Sequence, residues 1–205
     1  MPIMTRVIAL YLFDQIEVLD LGGPFEVFST ASRMKARLMP DAARPFEVCT
    51  IAESIRPIRA RGGLMVQPGY DLTNHPAIDV LIVPGGVVTA ELERAPVIEW
   101  IKRTAAKSEL TASVCTGAFL LGKAGLLRGK TITTHWEDIE DFRAMFPDVP
   151  VRGDQRWMDE GSIVTSAGIS AGLDMSLHLV ERLEGEELAL RTARQMDYDW
   201  RRSPS

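Results

Sequence analysis

Two short segments of this chain are almost unbroken runs of apolar residues and a third is a run of apolar and small residues, and each stops abruptly at turn-forming or small residues. They are Arg6 to Phe13, Ile78 to Val83 before Pro84-Gly85-Gly86, and Leu110 to Val114, which includes Thr111 and Ser113, before Cys115-Thr116-Gly117. Runs this short and this poor in charge are what strands become when both faces of a sheet are covered. Between them the apolar spacing turns helical. Phe25, Val27 and Phe28 follow Gly22-Gly23-Pro24, and Val97, Trp100, Ile101 and Ala105 fall within Pro96 to Ala106. Strands alternating with helices predict an α/β fold, a mostly parallel sheet sandwiched by helices. Ligands of such sheets bind beyond the carboxyl ends of the strands, near a reversal of strand order.

The remaining segments extend this pattern. Pro45 to Ile51 reads as a second strand, and Ile55 to Val66 as a hairpin arm turning at Gly62-Gly63. Pro24 suits the first turn of a helix that Gly22-Gly23-Pro24 opens. A small-residue helix runs from Gly117 through Ala124, Lys130 to Thr134 is a short strand, and Asp138 to Met145 a helix. Arg156 to Met158 and Ser162 to Thr165 form a hairpin around Glu160-Gly161. Gly172 to Leu183 and Glu186 to Asp199 close the chain as helices, the second offering Leu188, Leu190, Ala193 and Met196 as core or dimer surface. With 205 residues and no linker or repeat, one domain spanning 1–205 is expected.

Ser113-Val114-Cys115-Thr116-Gly117 places a sulfur nucleophile between a strand and a helix, the arrangement of a nucleophile elbow. The helix N-terminus is expected to lower the thiol pKa. By residue type alone a free cysteine is usually a small buried hydrophobe; the strand-Cys-Thr-Gly-helix context favours the nucleophile. Cys49, in mid-strand, has no such context and reads as packing. Backbone N–H groups of Pro84-Gly85-Gly86, with that of Thr116, are candidates for an oxyanion pocket. Asp20 reads equally well as a helix cap or as an acid sharing a proton with the cysteine. His135, ending Thr133-Thr134-His135, is a candidate base for amidase-type chemistry. Trp136 reads as pocket wall or core.

Several function classes are excluded by composition and spacing. A net charge of -5 without a basic stripe argues against nucleic-acid binding. No apolar run reaches the roughly 18 residues of a membrane span. Asp14 and Glu17 interrupt the N-terminal run, no cleavage pattern follows, and two cysteines make no disulfide framework, so a cytoplasmic home is expected. Gly117 to Lys123 has P-loop spacing, but Ala124 stands where Ser or Thr is required. His75, His135 and His178 lack metal-ligand spacing, and no metal or cofactor is expected.

Five segments together resemble the ThiJ/PfpI superfamily, relatives of the class I glutamine amidotransferases with a flavodoxin-like fold. They are Leu19 to Pro24, Pro84 to Gly86, Ser113 to Gly117, Thr133 to Trp136, and Ala167 to Gly172. Within the superfamily the sequence is similar to isonitrile hydratases. That resemblance implies cofactor-free addition of water to an isonitrile, giving an N-substituted formamide. Cys115 would be the nucleophile, Asp20 its acidic partner and Thr116 the neighbour of the sulfur. Gly85 and Gly86 would line an oxyanion pocket, with Leu19, His135 and Trp136 around the substrate. Gly22 departs from the pattern, standing where those hydratases carry threonine. The resemblance also implies a homodimer acting on a small molecule. Three alternatives stay open: a glyoxalase, deglycase or amidase activity dependent on His135, a ligand-sensing domain like those of AraC-type regulators, and a redox sensor. A chain ending at Ser205 leaves no room for a DNA-binding module, which favours a stand-alone enzyme.

Overall fold

The computed structural model describes residues 5–204. β1 (Arg6–Leu12) leads into α1 (Val18–Leu38) and β2 (Phe46–Ala52). A two-stranded arm, β3 (Ile58–Arg59) and β4 (Met65–Val66), turns at Gly62 and Gly63, both at positive φ, as their sequence requires. β5 (Tyr70–Asp71) and β6 (Val80–Val83) follow, then α2 (Thr89–Leu92), α3 (Ala95–Ala105), β7 (Leu110–Val114) and α4 (Gly117–Lys123). The chain ends with α5 (Ile139–Met145), the hairpin β8 (Trp157–Asp159) and β9 (Ile163–Ser166), and the helices α6 (Ala171–Glu184) and α7 (Glu186–Gln195).

Seven strands make one sheet in the order β5-β2-β1-β6-β7-β9-β8. All neighbours are parallel except β8, which runs antiparallel to β9. Helices α1, α6 and α7 pack together, and α2, α3 and α4 form a second group, so the sheet is sandwiched as the alternation predicts. The apolar and small-residue runs become its centre. Every residue of β6 and β7, and Ile8 to Leu12 of β1, is buried.

Three expectations are corrected. α1 begins at Val18 rather than near Pro24, which lies inside it. Pro24 cannot donate to the carbonyl one turn back, yet the helix continues because Leu21, Gly23, Val27, Phe28 and Ala31 are buried along one side. Lys130 to Thr134 forms no strand. Ile132 makes a single parallel bridge to Val151, and the next N–H, of Thr133, is taken by Thr165 Oγ1 at 3.0 Å. α7 stops at Gln195 because Asp197 adopts φ +50°, which breaks the helical path.

Candidate active site

From β1 the chain first adds β2 on one side, then returns to add β6 on the other. Strand order therefore reverses between β1 and β6, and ligands of open α/β sheets bind at such a point. The loops leaving both strands are stitched together there. Glu17 N–H donates to Gly85 O at 2.9 Å, and Val87 N–H to Gln15 O at 3.1 Å. Gly86 sits at φ +143°, and a Cβ on it would overlap the Gln15 carbonyl oxygen.

The elbow forms at the end of β7. Cys115 takes φ +56°, a conformation costing a non-glycine residue on the order of 1 kcal/mol. Fixed partners impose it: Cys115 N–H donates to Ser166 O at 3.0 Å, and Thr134 Oγ1 donates to Cys115 O at 2.9 Å. Gly117 lets the new helix close against β6, since a Cβ there would overlap the Val83 carbonyl oxygen. Cys49 is half-buried in β2, and burial pushes its thiol up to about 11, in keeping with packing.

Asp20 does not cap α1. It lies in the first turn, wholly buried, with Oδ2 accepting the Gly85 N–H at 3.1 Å. Oδ1 is buried with no nitrogen or oxygen donor, and the neighbour able to supply a proton is the Cys115 thiol. Burial raises the Asp20 pKa to about 7, against the opposing pull of the Gly85 N–H. Burial, and then the Asp20 charge, push the Cys115 thiol far above its ordinary value. The Thr116 N–H works in the other direction and loses. This corrects the expected low-pKa thiol: desolvation and a facing carboxylate outweigh a seven-residue helix. Both shifts run upward, so the pair keeps at least one proton at neutral pH.

The Gly85 and Gly86 N–H groups, expected as oxyanion donors, are engaged elsewhere. Gly85 N–H is bound by Asp20, and Gly86 N–H donates to Thr116 Oγ1 at 2.9 Å, whose hydroxyl returns a bond to Gly86 O at 2.8 Å. The glycines matter instead for contact. A Cβ on Gly85 would stand 2.6 Å from Thr116 N and 2.8 Å from Cys115 Cβ.

A cavity of about 770 Å³ opens over Cys115, with Thr116, Gly86 and His135 in its wall. Its apolar lining includes Val88, Leu92 and Phe119, with Val87, Met145 and Ile169 exposed at its mouth. Glu17 and Arg61 pair at 3.3 Å on one side; Asp138, Glu137 and Asp141 lie on the other. Leu19 and Trp136 do not line this cavity. Leu19 is exposed on α1, and Trp136, at 71% exposure, is neither wall nor core. Arg61, Phe119 and Asp138 were not among the residues expected from sequence. Arg61 arrives on the arm from far along the chain, with no local signal, whereas Asp138 is three residues from His135 and was legible in principle. Among the described residues no three His, Cys, Asp or Glu side chains are grouped to hold a metal ion.

Known proteins bear on this arrangement. The DJ-1/PfpI family model matches residues 6–182. Isonitrile hydratase of Pseudomonas putida is 33% identical over 196 residues, covering 95% of this chain and 79% of the enzyme. The HTH-type transcriptional regulator GbdR of Pseudomonas aeruginosa is 28% identical over 192 residues, covering 94% of this chain but half of the regulator. A crystal structure of a ThiJ/PfpI family protein from Pseudomonas syringae superposes with TM-score 0.84 at 27% identity, covering 97% of this chain and 77% of that one.

Proposed function

The chain belongs to the DJ-1/PfpI family, and from that premise we propose that it is a cofactor-free hydratase that converts an isonitrile to an N-substituted formamide. The observation that carries this reading is the buried Asp20–Cys115 pair, holding a proton beneath a cavity whose wall mixes apolar side chains with charged ones. An isonitrile carbon is a weak base that also accepts a nucleophile, so one site must supply both a proton and an electron pair. Asp20 takes the proton from Cys115 Sγ and passes it to that carbon as Sγ bonds to it, so the S–H bond is exchanged for a C–H bond and a thioimidate and an Asp20 carboxylate are left. Water then adds to the same carbon, the C–S bond breaks, and the formamide leaves while the pair recovers its proton. Thr116 holds the elbow against Gly86 throughout. The 33% identity to an isonitrile hydratase supports the same reading.

The test is formamide production from cyclohexyl isocyanide. Wild-type protein is expected to turn it over, and Cys115→Ala to show none. Absence of turnover by well-folded wild type would remove the proposal. A second reading, a ligand-sensing domain, is favoured by the similarity to GbdR across 94% of the chain. It predicts saturable binding in the cavity without product.

We also propose that the protein is a homodimer of the cytoplasm. Exposed Leu19 and Phe25 on α1 and Leu64 and Met65 on the arm supply the apolar surface for a second copy. Sedimentation should give twice the 22.7 kDa chain mass.

A further inference from the structure

His135 is held by a partner that the hydration steps above do not use. Its Nδ1 lies 3.1 Å from Asp138 Oδ2, with Glu137 Oε2 at 3.9 Å from the same nitrogen. A carboxylate only accepts, so the contact assigns the hydrogen to Nδ1, and the neutral ring presents Nε2 as its acceptor. Among the described residues Nε2 has no hydrogen-bond partner. The ring is also confined: Gly168 packs so closely that a Cβ on it would overlap His135 Cδ2. His135 and Asp138 line the same cavity as Cys115, whereas Asp20 does not reach that wall.

That difference creates a need. Once Asp20 has given up its proton it is a buried carboxylate behind the sulfur, without access to water in the cavity. We propose, resting on the hydratase reading, that Asp138 positions His135 to act as the base for the water that opens the Cys115 thioimidate. His135 Nε2 takes a proton from water as the new C–O bond forms, and passes it to the substrate nitrogen. The C–S bond then breaks as the C=O forms, and the hydroxyl proton returns to the Asp20–Cys115 pair. One water is consumed and nothing is oxidised or reduced. Asp138 touches no reacting atom in this scheme; it acts through the imidazole.

The experiment follows cyclohexyl isocyanide by turnover and by intact-protein mass after rapid quenching. His135→Ala and His135→Gln should each slow turnover by about a hundred-fold or more. Both should accumulate protein heavier by one isonitrile, an adduct absent when Cys115→Ala is added. Asp138→Ala should lower kcat and KM together, leaving kcat/KM near that of wild type, and show the same adduct. Asp138→Asn, which keeps an acceptor for Nδ1, should regain most of the rate. Wild-type turnover in folded His135→Ala, His135→Gln or Asp138→Ala, or slow turnover without adduct, overturns the assignment while leaving the hydratase reading intact. If wild type gives neither formamide nor adduct, the hydratase reading falls and this role falls with it.

Discussion

Two aspartates of this protein are wholly buried, and they differ in how their oxygens are answered. Asp174, on α6, is saturated. Oδ2 accepts two N–H groups of Arg156, at 2.8 and 2.5 Å, and Oδ1 accepts Tyr198 OH at 3.1 Å and Arg201 N–H at 2.9 Å. Asp20 has one backbone donor and an oxygen left over. The saturated carboxylate ties the C-terminal segment and the β8 edge to α6. The unsaturated one binds its proton more tightly than an ordinary aspartate and lies against a sulfur. A buried carboxylate with every lone pair answered is architecture; one answered on a single side is poised for proton transfer.

Exchanging each acid for its amide is the sharpest way to break this contrast. Asp20→Asn should cut isonitrile hydration by roughly a thousand-fold while leaving the thermal midpoint unchanged or raised, because it removes a carboxyl whose ionised form is poorly solvated. Asp174→Asn should do the reverse. Leaving Arg156 short of its partner is expected to cost about 3 kcal/mol in urea unfolding, with the rate per folded molecule retained. If Asp20→Asn destabilised the fold as much as Asp174→Asn, Asp20 would be structural too.

The pH dependence of stability sharpens the same point. Asp20 binds its proton more tightly folded, with a pKa near 7, than unfolded, near the ordinary aspartate value of about 4. Between those values the folded state carries the extra proton, so Asp20's contribution to stability declines as pH rises from about 4 to about 7. Unfolding curves for wild type and Asp20→Asn should differ in slope across that window and run parallel above it. Coincident slopes would mean that the carboxyl is not held neutral.

The smallest effects belong to the residues that the structure places outside the cavity. Trp136→Ala and Leu19→Ala should change the chain's own stability by no more than about 0.5 kcal/mol. They should also leave KM for cyclohexyl isocyanide unchanged. A large KM increase for Trp136→Ala would place its ring over the cavity mouth in the working protein.

Sequence patterning revealed the parts of this fold that depend on local chemistry. β1 and β6 were legible because burial on both faces demands continuous apolar runs, β7 because Thr111 and Ser113 are small enough to be buried with Leu110, Ala112 and Val114, and the elbow because a strand, a cysteine and a glycine-led helix are adjacent in the chain. The start of α1 was not. Gly22-Gly23-Pro24 is punctuation in an isolated helix, but here Gly23 faces Leu173 of α6 with only 3.2 Å to spare for a Cβ, and tertiary packing carries the helix through. Lys130 to Thr134 misled because alternation in a threonine-rich segment resembles a strand, while the Thr134 hydroxyl in fact donates to the elbow, the Thr133 hydroxyl to Gln155 O, and the Thr133 N–H to Thr165 of β9. The thiol's raised pKa and the occupied N–H groups of Gly85 and Gly86 depend on distances between three loops, which no local pattern encodes.

The pair's position is set by close main-chain approaches, Gly86 on Gln15, Gly85 on Thr116 and Gly117 on Val83, and by the hydroxyls of Thr116 and Thr134 that bond to the backbone of Gly86 and Cys115. Side chains such as Val88, Leu92 and Phe119 line the cavity but take no part in those contacts. What enters the cavity can therefore drift by substitution in its lining without moving the sulfur or the acid. Chemistry and fit are carried by separate parts of the chain, the one by glycine-permitted contacts under the sulfur and the other by the side chains above it.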